Sequence, residues 1–155
     1  KAKTDTIVMS TPYLALPIGK GISVQGTWAF FEEATIKLFD PTNHGTTPLY
    51  FYSSSSAIND EYSYPSVYLP AGTYSLELCY RVHTNAGIAS VYRGGTLIGT
   101  IDTYAAATAF NLVTVLSFVV GSDSIDSIRF KLESKNVASS AYSFGPQQIT
   151  IWRTA

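Results

Sequence analysis

The sequence has 155 residues, with 10 basic and 11 acidic side chains and a formal net charge of −1. A chain this close to neutral lacks the basic surface by which proteins bind nucleic acids or anionic lipids. Only 14% of its residues are charged, whereas an average soluble domain has about 25%. We therefore predict a β-rich protein of the virion or the extracellular space, with no nucleic acid partner and no insertion into membranes.

Cysteine and histidine are too scarce for the common disulfide and zinc frameworks. Cys79 is the single cysteine, and His44 and His83 are the two histidines. This excludes an internal disulfide, a cysteine-based zinc cluster and a histidine-rich metal site. We expect no cofactor. The alternative is a structural calcium ion, held by oxygen atoms of residues 59–61 or of the 123–126 turn.

The first 64 residues contain short strand candidates separated by turn residues. Apolar and β-branched runs predict strands at residues 6–9, 22–31, 35–39 and 49–52. Residues 53–64 have no clear period, and we predict a long surface loop there.

Alternation of apolar and polar residues dominates the next part of the chain. A period of two is typical of a strand with one buried face, and it runs through residues 73–82 and 127–133. The predicted buried faces consist of Tyr74, Leu76, Leu78, Tyr80 and Val82 in the first strand, and of Ile128, Phe130 and Leu132 in the second.

A glycine-rich turn marks a hairpin. Residues 93–95 (RGG) separate a strand at 88–92 from one at 96–102. Gly99 in the middle of the second strand indicates a bulge or a close neighbour. A last strand is predicted at residues 148–152.

Residues 111–120 (NLVTVLSFVV) are apolar on both faces. We place this strand centrally in a sheet or at a contact between subunits. A chain with so few charges needs to bury a second apolar face, so Val113, Val115 and Val119 are predicted to form a subunit contact. Closing an oligomer would also protect an uncharged edge strand from uncontrolled pairing.

These elements together predict an all-β fold. About ten short strands with almost no helical period favour a β-sandwich of antiparallel strands. We expect one domain spanning residues 1–155, either a mature fragment or the ordered C-terminal part of a longer chain.

The candidate catalytic groups do not combine into a site. Cys79 and His83 share one face of a strand, but four residues at about 3.3 Å each separate them by roughly 13 Å, too far for a nucleophile and its base. Glu32 and Glu33 are adjacent and point to opposite faces, and the acids of the 123–126 turn are expected to bond to local backbone. We predict that the chain is not an enzyme.

Aromatic rings are the candidate ligand site. An exposed ring binds a sugar by lying against its apolar C–H face, while nearby polar groups fix the orientation. The alternative for each ring is a half-buried place in the core. The candidate carbohydrate-binding residues are Trp28, Tyr62, Tyr64, Tyr68 and Tyr104.

Five short strings occur in a fixed order between Leu69 and Ala155. They are PAGTY at 70–74, TNAG at 84–87, SVYRGGTLIGTID at 90–102, KNVASSAY at 135–142 and ITIWRT at 149–154. This ordered set resembles a domain at the C-terminal ends of bacteriophage tail fibres, head fibres and related virion proteins. Carbohydrate-binding jelly rolls and tumour-necrosis-factor-like trimeric heads are similar in outline.

The resemblance implies a jelly-roll β-sandwich of about 8–10 antiparallel strands. It also implies a non-enzymatic virion structural protein, located at a fibre tip or decorating a capsid. Such a protein would form a homotrimer, contact other virion proteins and adhere to host-surface glycans. The alternative is a carbohydrate-binding module from a secreted polysaccharide-degrading enzyme.

Overall fold

The computed structural model describes residues 19, 21–25, 30–31, 38–39, 51–52, 57–64 and 66–155. The strand predicted at residues 6–9 and the candidate ring of Trp28 lie outside these residues. No helix occurs in the described ranges, and therefore none there could cross a membrane. The strands are β1 Gly21–Gln25, β2 Phe30–Phe31, β3 Leu38–Phe39, β4 Phe51–Tyr52, β5 Glu61–Ser63, β6 Val67–Leu69, β7 Gly72–Val82, β8 Gly87–Arg93, β9 Thr96–Asp102, β10 Ala109–Val120, β11 Ser124–Asp126, β12 Ile128–Lys135 and β13 Gly145–Arg153.

Two main sheets pack face to face. The four-stranded sheet has the order β1-β13-β7-β10, and the five-stranded sheet has the order β2-β5-β12-β8-β9. Their neighbouring strands all run antiparallel. The short pairs β3–β4 and β6–β11 accompany them. Buried side chains from both main sheets meet in one core, which confirms the predicted all-β sandwich.

The core consists of the faces that alternation predicts. On β7, the side chains of Leu76 and Leu78 are fully buried, and on β12 those of Phe130 and Leu132 are fully buried as well. Burying one such side chain contributes about 1.5–3 kcal/mol relative to leaving it in water. Phe144, next to the start of β13, packs 5.4 Å from the ring of Phe130 and closes one end of this core.

The predicted hairpin is present as β8 and β9. Gly94 in its turn has a φ of 52°, which a side chain rarely adopts. Gly99 fulfils both expectations for its position. The β8–β9 register shifts beside it, and a Cβ on residue 99 would lie 2.8 Å from Cδ2 of Leu116 on β10. The glycine therefore lets the edges of the two sheets approach closely.

Two predictions need correction. Residues 61–63 form strand β5 in the five-stranded sheet rather than part of a long loop; residues 53–56 lie outside the described ranges. The strand around residues 111–120 is not central, because β10 ends its sheet and pairs only with β7 among the described strands. Alternation alone did not find β5, since all three of its residues are buried.

Candidate functional site

Two of the predicted sugar-binding rings belong to the core. Tyr62 and Tyr64 are 0% and 2% exposed, so the expectation that they stand in a surface loop is corrected. The Tyr62 ring packs edge-on against Phe144 at 5.1 Å, and the Tyr64 ring packs against Phe130 at 5.7 Å. Burial raises the pKa of Tyr64 far above its ordinary value. A ring without accessible surface offers no face to a sugar.

Tyr68, on strand β6, bonds to the turn that follows β10 at one end of the sandwich. Its hydroxyl donates a 2.6 Å hydrogen bond to Oδ2 of Asp123, and Oδ1 of Asp123 accepts a 2.8 Å bond from the backbone N–H of Ala71. The hydrogen bond with Asp123 raises the pKa of Tyr68, and the bond from Tyr68 is the main cause that lowers the pKa of Asp123. The hydroxyl of this half-buried tyrosine therefore ties β6 to the turn at Asp123.

Tyr104 follows β9 and is half-buried. Its backbone N–H donates to Oδ1 of Asp102 at 2.9 Å, and Oδ2 of the same carboxylate accepts from Asn136 at 2.9 Å. Tyr104 also forms an isolated β-bridge with His83. These contacts tie together the loops that follow β7, β9 and β12, at the end of the sandwich opposite Tyr68.

The candidate catalytic groups are each held by other partners. Sγ of Cys79 lies 3.8 Å from Oε1 of Gln147, whereas His83 contacts the side chain of Asn85. Burial is the main cause that raises the pKa of the Cys79 thiol, which disfavours the reactive thiolate. Asp126 pairs with Arg93 at 2.8 Å.

Metal-binding side chains do not gather in the described part of the chain. No three His, Cys, Asp or Glu side chains come together there in a way that could hold a metal ion. The described residues also enclose no pocket.

The four-stranded sheet has an outer face, turned away from the five-stranded sheet, that carries an ordered set of side chains. The register places Gly21, Trp152, Ser75 and Ser117 in one row across β1, β13, β7 and β10. The next row runs through residue 23, Thr150, Glu77 and Val115, and the third through residue 25, Gln148, Cys79 and Val113.

Trp152 presents an exposed aromatic ring on this face, with 41% of its surface accessible. Its atoms Cε3 and Cδ2 lie 2.7 and 2.8 Å from the point that a Cβ on residue 21 would occupy. The indole therefore leans across the neighbouring strand and occupies the space that only glycine leaves free. Gly21 is therefore part of the surface against which the indole ring packs.

Hydroxyl groups lie beside this ring. Ser75 is the direct cross-strand neighbour of Trp152, and such neighbours have Cβ atoms about 5 Å apart. Ser117 is one strand further, at about 10 Å for two strand spacings. An aromatic face with hydroxyl groups along one side matches the apolar C–H face and the hydroxyl rim of a sugar ring.

Trp152 was not among the predicted site residues, although the sequence contained a signal for it. Residues 148–152 were predicted as a strand, and Ile149 and Ile151 alternate with Gln148, Thr150 and Trp152. If the isoleucines face the core, the tryptophan must face outward. In the structure Ile149 and Ile151 are buried in the core and Trp152 is exposed, whereas Thr150, on the same face as Trp152, is buried at 4% exposed.

The predicted subunit-contact residues also lie on the outer face. Val113, Val115 and Val119 of β10 are 55%, 55% and 67% exposed. They form an apolar stripe along the edge of the sheet opposite β1. Their role as a contact between subunits stays a prediction.

Comparisons with known proteins identify the fold. In sequence, the chain matches no protein-family model and no curated protein. In structure, it is similar to a family 35 carbohydrate-binding module from Clostridium thermocellum, with a TM-score of 0.61, 13% identity and coverage of 86% of this chain and 98% of the module. It is also similar to a carbohydrate-binding module of Cellvibrio mixtus lichenase 5A, solved with cellotriose, with a TM-score of 0.56, 17% identity and coverage of 86% and 98%.

A third similar structure is much larger than this chain. Paenibacillus xanthan lyase matches with a TM-score of 0.66 and 20% identity over 91% of this chain, but the match spans only 14% of the lyase. None of these three structures is of a virion protein, so they do not support the phage resemblance. The chain has the jelly-roll β-sandwich fold that carbohydrate-binding modules also have.

Proposed function

We propose that this domain is a carbohydrate-binding module without catalytic activity, and that its ligand lies across the outer face on Trp152. The observation that carries the proposal is the position of this ring. It is exposed at 41%, it leans over Gly21, and it adjoins Ser75. The fold shared with carbohydrate-binding modules supports the same function.

The physical basis of binding is contact between the indole and the C–H face of a pyranose. Such a contact removes apolar surface from water on both partners. The hydroxyl groups of Ser75 and Ser117 can both donate and accept hydrogen bonds, so they can orient the sugar along the row. Thr150, in the next row of the outer face, is buried, so the exposed contact surface for a polysaccharide is the row of Trp152, Ser75 and Ser117.

The ion pairs of the described acidic residues also support binding rather than catalysis. Glu61 pairs with Arg129 at 2.9 Å, and Asp126 pairs with Arg93. Glycoside hydrolysis needs two carboxyl groups that face each other across the scissile bond. Among the described residues, Glu77 is the one acid that the register places beside the Trp152 row. Because a single acid does not supply this pair, we propose no catalytic step and no cofactor.

The test is calorimetric titration with cellotriose and with a panel of soluble polysaccharides. Trp152→Ala should abolish binding to every glycan that the unmodified protein binds. Gly21→Val should weaken the same binding, because its side chain displaces the ring. Tyr104→Ala, at the end of the sandwich, is the matched control and should bind normally. Unchanged affinity in Trp152→Ala would overturn the proposed site.

A second candidate function is the structural role in a virion. The exposed valine stripe of β10 favours it, because fibre and decoration proteins depend on contacts between subunits. In that case the protein would be a homotrimer on a virion, with other virion proteins and host-surface glycans as partners. A mass of three protomers in light scattering would favour this candidate over a free binding module.

A further inference from the structure

We infer that the side of the sandwich formed by β9 and β10 is a self-association surface, at which two copies pair their β10 strands antiparallel about a two-fold axis. β10 ends the four-stranded sheet, β9 ends the five-stranded sheet, and the two strands lie against each other. Within the described residues, both sheets are therefore open on the same side.

The edge formed by β10 lacks the features that normally protect a free strand. It is 12 residues long, and its sequence AFNLVTVLSFVV contains no charged residue and no proline. Natural edge strands are usually short, or carry lysine, proline or an inward charge, to prevent pairing with another chain. The irregularity in its pairing lies near Ala109 and leaves residues 112–120 in regular register.

Both faces of this edge are incompletely covered. On the outer face, the three valines are more than half exposed. On the core side, Leu112 and Leu116 are only partly buried, whereas Leu76, which pairs with Leu116 from β7, is fully buried. Leu97 on β9 adds another side chain exposed at 51%. A further strand beside β10 would cover part of the exposed surface of these side chains.

The described pieces of the N-terminal part lie on the other side of the sandwich. β1 pairs with β13, β2 pairs with β5, and β4 lies against β13. Residues 1–18 carry three charged side chains, at positions 1, 3 and 5, whereas the β10 edge carries none.

A second copy fits this edge because an uncharged apolar strand is complementary to itself. A two-fold axis makes each surface meet its own copy, and no like charges oppose each other here. With the axis at Leu116, Val113 of one protomer faces Val119 of the second copy, and Val115 faces Ser117. The four-stranded sheets then form one continuous sheet of eight strands.

Pairing would also place two ligand faces on one surface. The two Trp152 rings would lie on the same side of the joined sheet, separated by five strand spacings or roughly 24 Å. A dimer could then hold one polysaccharide at two points and gain avidity. This last consequence rests on the proposed function, whereas the self-association does not.

The test is the mass of the full chain in light scattering at micromolar concentration. We expect a dimer, and Val115→Arg should convert it to a monomer. Val137→Arg is the matched control, because Val137 is a fully exposed residue of the β12–β13 loop, and it should stay dimeric. Trp152→Ala should also stay dimeric, which separates this inference from the proposed function. Circular dichroism establishes that each variant is folded.

The register has its own test in a Cys79→Ser background. The double variant Val113→Cys, Val119→Cys should form a covalent dimer on oxidation, and neither single variant should do so. A monomeric or trimeric unmodified protein would overturn the inference, as would a dimer that persists in Val115→Arg. A monomer that dimerises once residues 1–18 are deleted would show that this segment covers the edge, and would also overturn it.

Discussion

β7 and β10 are neighbours in one sheet, but β7 alternates apolar and polar residues whereas β10 is apolar on both faces, and their burial differs as well. β7 lies between β13 and β10, and its inward side chains from Tyr74 to Val82 are buried. β10 has one described neighbour, and its inward Leu112 and Leu116 remain partly exposed. Their outward residues also differ, because β7 presents Ser75 and Glu77 where β10 presents valines. On β10 the inward Phe118 and Val120 are buried, so the incomplete burial at the sheet edge is confined to the part of the strand around Leu112 and Leu116.

The largest expected effect comes from shortening an inward leucine on each strand. Leu78→Ala on β7 should cost about 2–5 kcal/mol of the free energy of unfolding, because it leaves a cavity in a closed core. Leu116→Ala on β10 should cost clearly less, about 1–2 kcal/mol, since its site is already partly open to water. Urea denaturation of both variants measures the difference. Equal losses would mean that β10 is as well covered as β7.

A second test concerns the contact that lets β10 approach β9. A Cβ on residue 99 would lie 2.8 Å from Leu116, so Gly99→Ala should be better tolerated when Leu116 is also shortened. We expect a coupling of about 1 kcal/mol in the double-mutant cycle with Leu116→Ala, a size common for residues in contact. Additive effects would contradict the close approach of the two edges.

A smaller effect should come from the contact between Tyr68 and Asp123, which ties β6 to the turn that follows β10. The folded-state pKa of Asp123 is lowered, so the ionised carboxylate stabilises the fold above the ordinary aspartate pKa of about 4. This contribution is lost as the pH falls below about 4 and through the lowered folded-state pKa of Asp123. The raised pKa of Tyr68 predicts a loss on the alkaline side, as the pH rises above about 10.

The measurement is the thermal unfolding midpoint as a function of pH. Between about pH 6 and pH 3, the midpoint of the unmodified protein should fall more than that of Asp123→Asn. In Tyr68→Phe the midpoint should also fall less than in the unmodified protein, because the variant lacks the hydroxyl that donates to Asp123. Parallel curves for all three proteins would mean that this contact adds no stability.

The sequence was most informative where one face of a strand is buried and the other is not. The inward faces of β7 and β12 and the turn at Gly94 followed from period and turn chemistry alone. β5 was missed because Glu61 is buried through its ion pair with Arg129, a long-range contact that local sequence does not contain. Tyr62 and Tyr64 therefore appeared to belong to a polar loop, although they lie in the core.

The sequence predicted an aromatic ring as the ligand site but did not name Trp152. In the proposed site the ring is Trp152, and its neighbours come from three other strands. Gly21 and Ser117 adjoin Trp152 and Ser75 only through the sheet order, which no local pattern specifies. The alternation of the last strand could have predicted that Trp152 faces outward, but not which residues surround it.

The location of the ligand is measured most directly by nuclear magnetic resonance titration of the isotope-labelled protein with a glycan that it binds. We predict that the largest shifts occur at the indole N–H of Trp152 and at the backbone amides of Ser75, Ser117 and Gly21. Shifts confined to the loops around His83, Tyr104 and Asn136, with the Trp152 signal unchanged, would contradict the account.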